Sequence, residues 1–409
     1  MTTTKNNIPV GYKDSAVGII PQEWKVKQLA LLGKIFSGGT PSTDKEEYWG
    51  GNIMWCTPSD ITSLSSKYIN NTKDRITAMG LKSSSAILLP INSIIVCTRA
   101  TIGTAAITQV ELSTNQGFKN IKPEKCNTEW LYYSMILNQP KLQRLGCGST
   151  FLEVSKRDFE RLKLAVPPME EQRKIVEILG VWDEAIEKQN LLIEKLELRK
   201  RALMQRLLTS KTRLPSFTTP VDYKQLKPFI VEVSERNAKQ TITEVLSVTN
   251  SRGFVSQIEQ FYREVASANT TNYKVIRKGQ FAYNPSRVNV GSLDLLRTFE
   301  VGILSPMYVV FKTLPTISTQ YLYYLLKSNW FIGHIPMYVQ GSVRDSLSFD
   351  GLRDMKFWIP SLPEQKAIAE VLTTADNEIA IHRKTLDALR KQKRGLMQQL
   401  LTGKTRVKI

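Results

Sequence analysis

Apolar and polar positions follow two rhythms along this chain. From Pro167 to Arg213, and again from Pro360 to Arg406, apolar residues return alternately four and three positions apart. The first series reads Ile175, Leu179, Trp182, Ile186, Gln189, Ile193, Leu196, Lys200, Leu203, Leu207. The second reads Ile368, Leu372, Ala375, Ile379, His382, Leu386, Leu389, Lys393, Leu396, Leu400. Strict 4-3 alternation predicts a narrow seam that one helix presents to another, not the wider stripe of a helix lying on a core. The two series register without a gap at an offset of 193, and their polar interruptions coincide, Gln189 with His382 and Lys200 with Lys393. Two equal seams in one chain are most simply buried against each other. Each helix, at about 38 residues, would span roughly 57 Å.

Elsewhere the pattern is short and mixed. Apolar runs at Ile87–Leu89, Ile94–Cys97, Val275–Tyr283 and Tyr308–Phe311 alternate with Gly, Ser, Asn and Pro, which predicts strands and turns. Helical stretches are predicted at Thr128–Leu137 and at 319–328. These two segments echo each other, as do Arg99-x-x-x-Gly103 and Arg287-x-x-x-Gly291. The chain therefore divides into a globular unit at 1–166, a long helix at 167–213, a second globular unit at 214–359 and a second long helix at 360–409. The expected fold class is mixed α+β: two α/β globular domains separated by an antiparallel coiled coil, built as a pseudo-twofold tandem repeat. Antiparallel follows from connectivity, because the second domain begins where the first helix ends. The segment 1–24 is expected to pack loosely, near the end of the second helix.

Lys and Arg outnumber Asp and Glu by 56 to 37, a formal charge of +19, spread over both halves. Such an excess points to a polyanion partner, and a dispersed excess suits a long nucleic-acid footprint better than a basic arm. The four cysteines, Cys56, Cys97, Cys126 and Cys147, form no C-x-x-C pair, so neither a zinc site nor a disulfide framework is expected, and they read as buried thiols in a reducing cytosol. No apolar stretch is long enough to span a membrane and no signal peptide is recognised, so a cytoplasmic, nucleoid-associated location is expected.

Catalytic patterns are weak. Asn284-Pro285-Ser286-Arg287 lacks the second proline and the aromatic of an amino-methyltransferase loop and reads as a turn. Gly403-Lys404-Thr405 imitates the tail of a phosphate-binding loop, but Gln398 stands where its first glycine belongs. With no hydrolase or metalloprotease signature and no metal cluster, a binding protein is favoured over an enzyme. Bidentate Arg with Asn or Gln reads base edges, and Lys, Ser and Thr take phosphates. Candidate DNA contacts are therefore Thr40, Ser42 and Thr43 in the loop 38–43; Arg99 and Thr101; Asn115, Gln116 and Lys119; Ser149; Asn284, Arg287 and Asn289; and Ser342 with Arg344. Arg99 and Arg287 are the sharpest, each in a corresponding loop four residues before a glycine. For each residue the plainer reading is a solvated turn. Tyr48, Trp49 and Trp55 read as core packing, with a stacking surface as the alternative. The seam residues Ile175, Leu179, Trp182, Ile186, Ile193, Leu196, Ile368, Leu372, Ile379, Leu386 and Leu389 are candidates for helix pairing and partner docking. Leu191, Leu192 and Leu198 beside them leave apolar surface for a partner protein.

The ordered set of motifs resembles the specificity subunit of type I restriction–modification systems over nearly the whole chain. PPMEEQRKI at 167–175 and LPEQKAIAEVL at 362–372 look like that family's helix openings, LLTSKTR at 207–213 and LLTGKTR at 400–406 like its helix ends, and WKVKQLALLGKIFSGGTPST at 24–43 like the start of many first recognition domains. The resemblance implies two target-recognition domains that each bind one half of a split, asymmetric double-stranded DNA site. It implies helices that set the spacer and dock methyltransferase subunits, two by expectation, with translocase–endonuclease subunits joining the complex. It implies no catalysis by this chain, with S-adenosylmethionine, ATP and Mg2+ held by partners. A self-contained methyltransferase or nuclease, and a coiled-coil scaffold without a DNA role, are the rival readings.

Overall fold

The computed structural model describes residues 8–147, 152–257, 269–339 and 346–408. The chain forms two compact units, one comprising 1–192 with 382–409 and the other 193–381. Each unit therefore joins one globular domain to one half of each long helix.

Those helices run Met169–Leu208 and Leu362–Leu401, 40 residues each, so even their ends obey the offset of 193. Their openings carry prolines, at Pro168 and Pro363, where a missing N–H costs nothing, and Glu170, Glu171 and Glu364 face the positive end of the helix dipole. Both ends turn through a left-handed residue, Ser210 at φ 56° and Gly403 at φ 73°. The flanking bonds repeat too: Thr212 N–H donates to Arg206 O and Thr405 N–H to Gln399 O, both at 3.2 Å. The Gly403-Lys404-Thr405 motif is thus a helix cap.

Within each unit the two half-helices run antiparallel. In the first, residues 171, 183 and 189 meet 406, 393 and 382 in turn. In the second, residues 200 and 213 meet 376 and 364. The seam is graded. Ile175 and Leu179 join the first globular core, and Ile368 and Leu372 join the second with Leu207 and Leu208. Ile193, Leu196, Ile379 and Leu386 are buried, whereas Trp182, Ile186 and Leu389 are half-buried.

The first globular domain contains a five-stranded sheet in the order Gly33–Ser37, Phe118–Pro123, Ile94–Cys97, Ala105–Thr108, Tyr68–Ile69, and a three-stranded sheet, Leu112–Thr114, Trp49–Cys56, Asp74–Ile76. Helix Thr128–Leu137 covers the larger sheet, its first turn capped by Asn127, with Trp130, Leu131, Tyr133 and Met135 inward. The second domain has a four-stranded sheet, Ile230–Glu232, Val309–Thr313, Phe281–Tyr283, Leu293–Leu295, and helix Thr319–Leu326 capped by Ser318. Each domain closes with a two-stranded ribbon whose last strand feeds the long helix: Lys163–Val166 on Lys25–Gln28, and Lys356–Ile359 on Asp222–Gln225.

Four expectations need correction. Ile87–Leu89 is no strand; Leu89 makes one isolated bridge to Leu112, and Ile87 and Leu88 face solvent. The apolar run 275–283 breaks at Gly279, φ 83°, into two strands with different partners. The described part of the amino-terminal segment, residues 8–24, is tethered and not loose. Trp24 is fully buried, and Tyr12 Oη donates to Gly403 O at 2.9 Å, which does place this segment on the end of the second helix. Cys56 and Cys97 are buried, but Cys147 is exposed.

Candidate nucleic-acid interface

Three of the predicted loops of the first domain come together. The loop 38–43 is pinned by two indoles, Trp55 Nε1 donating to Gly39 O at 2.9 Å and Trp49 Nε1 to Ser42 O at 3.1 Å. Trp55 and Tyr48 are buried, and Trp49 packs edge-on against Trp55 at 4.9 Å, so these rings support the loop and do not form a stacking surface. Gly39 N–H donates to Thr114 O, and the Thr40 hydroxyl donates to Gln116 Oε1, which joins this loop to 114–119. A Cβ at Gly38 would fall 1.8 Å from Asn115 O, so only glycine allows that approach. Asn115 Oδ1 accepts from Gly117 N–H and shapes the turn. The third loop joins through Thr98, whose N–H and hydroxyl both donate to Gly117 O. Ser42, Thr43 and Gln116 are exposed; Thr40, Thr101 and Asn115 are half-buried.

Arg99 follows the strand Ile94–Cys97 and is held by a residue that sequence reasoning missed. Its Nη2 lies 2.6 Å from Glu153 Oε2, and Lys119 Nζ lies 3.2 Å from Glu153 Oε1. A backbone bridge also ties Arg99 to Glu153. Burial pushes the Glu153 carboxyl up, but hydrogen bonds and charge from Arg99 and Lys119 more than offset it and hold the group below the usual carboxylate range. Lys119 is 7% exposed, so its ammonium meets no phosphate unless it leaves Glu153. Arg99 keeps 43% of its side chain exposed and remains open to a ligand.

In the second domain, 284–289 forms the expected turn, with Arg287 N–H donating to Asn284 O and Ser286 N–H to Asn284 Oδ1. Gly291, φ 94°, returns the chain to the sheet. Arg287 and Asn289 are exposed and Asn284 half-buried. A cleft of about 290 Å³ gathers Arg287, Asn284, Ser292 and Tyr308 with Thr249 and Asn250 of a neighbouring hairpin, the last two also unmarked by motif. Ser149, Ser342 and Arg344 lie outside the described residues.

The helical frame resolves the polar interruptions. Lys393 pairs with Asp183, which accepts from Tyr133 Oη, and Lys393 Nζ sits 5.1 Å from the Tyr133 ring centre. Lys200 Nζ pairs with Asp376 at 2.5 Å, Tyr324 Oη donates to Asp376 at 2.8 Å, and the ring lies 5.6 Å from Lys200 Nζ. Each lysine thus ties the opposite helix to the aromatic helix of the adjacent domain. Gln189 Nε2 lies 2.9 Å from both His382 Nδ1 and His382 O.

The repeated EQ and KTR motifs form two clasps. Arg406 reaches Glu171 at 2.7 and 3.1 Å, and Arg213 reaches Glu364 through Nε and Nη2, both at 2.6 Å. Gln172 Nε2 donates to Pro167 O while its Oε1 accepts from Asn127 N–H; Gln365 repeats this with Pro360 O and Ser318 N–H. Leu191, Leu192 and Leu198 are exposed. Among the described residues no group of three His, Cys, Asp or Glu is placed to hold a metal ion, and no helix is long and apolar enough to cross a membrane.

A family model described as the type I restriction modification DNA specificity domain matches residues 21–198 and 299–391. The MjaIX specificity subunit of Methanocaldococcus jannaschii is 37% identical over 193 residues, which cover 46% of this chain but 45% of that protein. The MjaVIII specificity subunit of the same organism is 25% identical over 420 residues, 95% of this chain and 94% of that one. The crystal structure of the type I restriction–modification S subunit from M. genitalium superposes with a TM-score of 0.52 at 16% identity, covering 98% of both chains. A structure from work on complex assembly and conformational transition of the type I R-M system gives 0.59 at 15% identity, covering 94% of this chain and 99% of that one. At these identities the two structures speak for the fold.

Proposed function

Because the chain belongs to the type I restriction–modification DNA specificity family, we propose that it reads a split, asymmetric double-stranded DNA site, one half by each globular domain, and presents it to catalytic partners. The observation that supports this reading is the contrast within the repeat. The clasps and lysine bridges use identical residue types in both copies, while the loops at Arg99 and Arg287 differ in their surroundings. Arg99 is braced by a carboxylate in the first domain, whereas Arg287 opens a polar cleft in the second. A common frame with unlike readers is what an asymmetric target requires.

In this proposal the chain performs no chemistry. S-adenosylmethionine, ATP and Mg2+ belong to the methyltransferase and translocase–endonuclease subunits, and two methyltransferases dock on the paired helices beside Leu191, Leu192 and Leu198. In this reading the assembly is cytoplasmic and nucleoid-associated. The test is a binding series on duplexes in which either half-site is scrambled. Arg99→Ala is expected to weaken discrimination at one half and keep the other; equal loss at both halves would reject independent readers. The rival of a self-contained enzyme predicts turnover by the purified chain with cofactor and metal. The scaffold rival predicts binding insensitive to salt, where phosphate contacts impose a steep slope.

A further inference from the structure

We propose that the second unit carries a docking pocket for an acidic segment of a partner protein with an aromatic or large aliphatic anchor, and that this pocket occurs once per chain. A cavity of about 500 Å³ lies between the end of the first long helix and the second globular domain, walled by Arg201, Met204, Leu208 and Lys211 on one side and by the indoles of Trp330 and Trp358 on the other. Its size and apolar walls suit a buried side-chain anchor. The aromatic wall is rigid. Trp330 stacks on His334 at 3.8 Å and leans on Phe357 at 4.7 Å, and Tyr223 tilts against Trp358 at 4.5 Å. Tyr223 is 47% exposed, so the cluster reaches the surface. Trp, Tyr and Arg gathered at a concave site are the side chains that dominate protein interfaces.

Charge selects the occupant. Three cations line the cavity and no carboxylate does. Lys327 is engaged, its ammonium donating to Leu293 O at 2.5 Å and lying 3.7 Å from Asp294. Arg201 and Lys211 line the cavity, are exposed, and have no ion pair among the described residues. A segment with carboxylates beside an apolar anchor would satisfy both walls at once. A duplex backbone would meet the cations but leave the enclosed indoles unfilled.

The repeat supplies the control. Arg394, Met397, Leu401 and Lys404 stand at the equivalent helix positions of the first unit with the same residue types. The aromatic wall is missing there, because Ala165 replaces Trp358 and the helix after the aromatic one opens with Gln139-Pro140 where the second unit has Asn329-Trp330. Positive charge alone is duplicated; the anchor site is not. This occupant therefore differs from the two methyltransferases proposed above and should bind at one per chain.

The experiment uses the full chain labelled with 13C at its ten methionine methyls, with the Met204 and Met397 signals assigned by Met→Leu exchange. The probe is the acetylated, amidated hexapeptide Asp-Asp-Phe-Leu-Glu-Asp. The expected result is a saturable shift of Met204 with Met397 unmoved, binding about tenfold weaker for the Asn/Gln version of the peptide, and loss of the shift in the Arg201→Glu/Lys211→Glu chain. The other methyls report whether that variant is folded; if it is not, Arg201→Gln/Lys211→Gln takes its place. No shift at millimolar peptide, equal shifts at Met204 and Met397, or an equal response to the neutral peptide would overturn the proposal. So would a short DNA duplex moving Met204 at lower concentration than the peptide, which would make this a nucleic-acid surface.

Discussion

Truncating the arginine of either clasp should destabilise its unit far more than a surface ion pair would, and the two losses should differ. The carboxylates of Glu171 and Glu364 are 0% and 1% exposed, while their partners Arg406 and Arg213 are 33% and 26% exposed. Removing the arginine strands a buried charge, a change that costs about 3–5 kcal/mol. Glu171 would keep one donor, the Trp24 indole at 2.8 Å, whereas both bonds shown for Glu364 come from Arg213. Arg406→Ala should therefore cost about 3 kcal/mol and Arg213→Ala about 4 kcal/mol. For units of this size that lowers the relevant transition by roughly 6–12 °C and 8–16 °C. Scanning calorimetry with denaturant titration would read both. A cycle adding Glu364→Gln to Arg213→Ala should recover more than about 2 kcal/mol, since the amide leaves no buried charge. A loss below about 1 kcal/mol, the range of exposed pairs, would show that these carboxylates gain little from their arginines and refute the reasoning.

Ser210 holds φ 56° where the second copy has Gly403, so Ser210→Gly should stabilise the second unit by about 0.5–1 kcal/mol in denaturant titrations, relief of left-handed strain exceeding the added chain entropy. The Glu153 carboxyl is held below its usual range, so its contribution is complete above the unfolded value near 4.3 and is lost as pH falls through the lower folded value. Half-site discrimination through Arg99 should then be flat from about pH 5 to 8, and Glu153→Gln should blunt it throughout; a sigmoid centred near neutrality in the wild type would contradict this. Seventeen residues separate Asp183 from Lys200, and seventeen separate Asp376 from Lys393. Deleting one heptad from both stretches should preserve stability and shorten the preferred DNA spacer, while deletion from one alone should lower stability in a melt.

The long helices were legible because their period is local and long, and a 4-3 rhythm sustained over ten seam positions has few other meanings. The loops at 99 and 287 were legible because arginine, a turn glycine and a preceding apolar run lie within a few residues of one another. What holds these features was not. Glu153 lies 54 residues from Arg99, and Arg406 lies 235 residues from Glu171. Lys200 and Lys393 stood out as breaks in the seam, yet their partners Asp376 and Asp183 lie off the seam and look like ordinary solvated acids until the tyrosines converge on them. Much of the sheet structure was hidden by brevity: strands of two or three residues such as Tyr68–Ile69 and Asp74–Ile76 carry too few alternations to signal a face, and the parallel pairing of Leu112–Thr114 with Trp49–Cys56 joins segments more than fifty residues apart.

The energetics explain why the repeat kept its frame and lost its likeness elsewhere. A clasp carboxylate is buried, so changing its arginine carries the cost of an unpaired charge, and few substitutions are tolerated. The exposed positions Ser42, Gln116, Arg287 and Asn289 have no such constraint, and replacements there are worth tenths of a kcal/mol in stability. Two kinds of joint between frame and domain depend little on side-chain identity, in contrast to the apolar packing of Ile175, Leu179, Ile368 and Leu372 on the two cores. Gln172 and Gln365 each accept from a backbone N–H, that of Asn127 in one copy and of Ser318 in the other. The ribbons at 163–166 and 356–359 attach through main-chain pairing. A domain that presents an unpaired helix-cap amide, a tyrosine toward the aspartate, one pairing strand and an apolar face for Ile175 and Leu179, or for Ile368 and Leu372, meets these joints. Replacing a whole reader should therefore disturb the frame less than a single Arg213→Ala, and stability melts of a chain whose 214–359 segment comes from a relative would show whether that ordering holds.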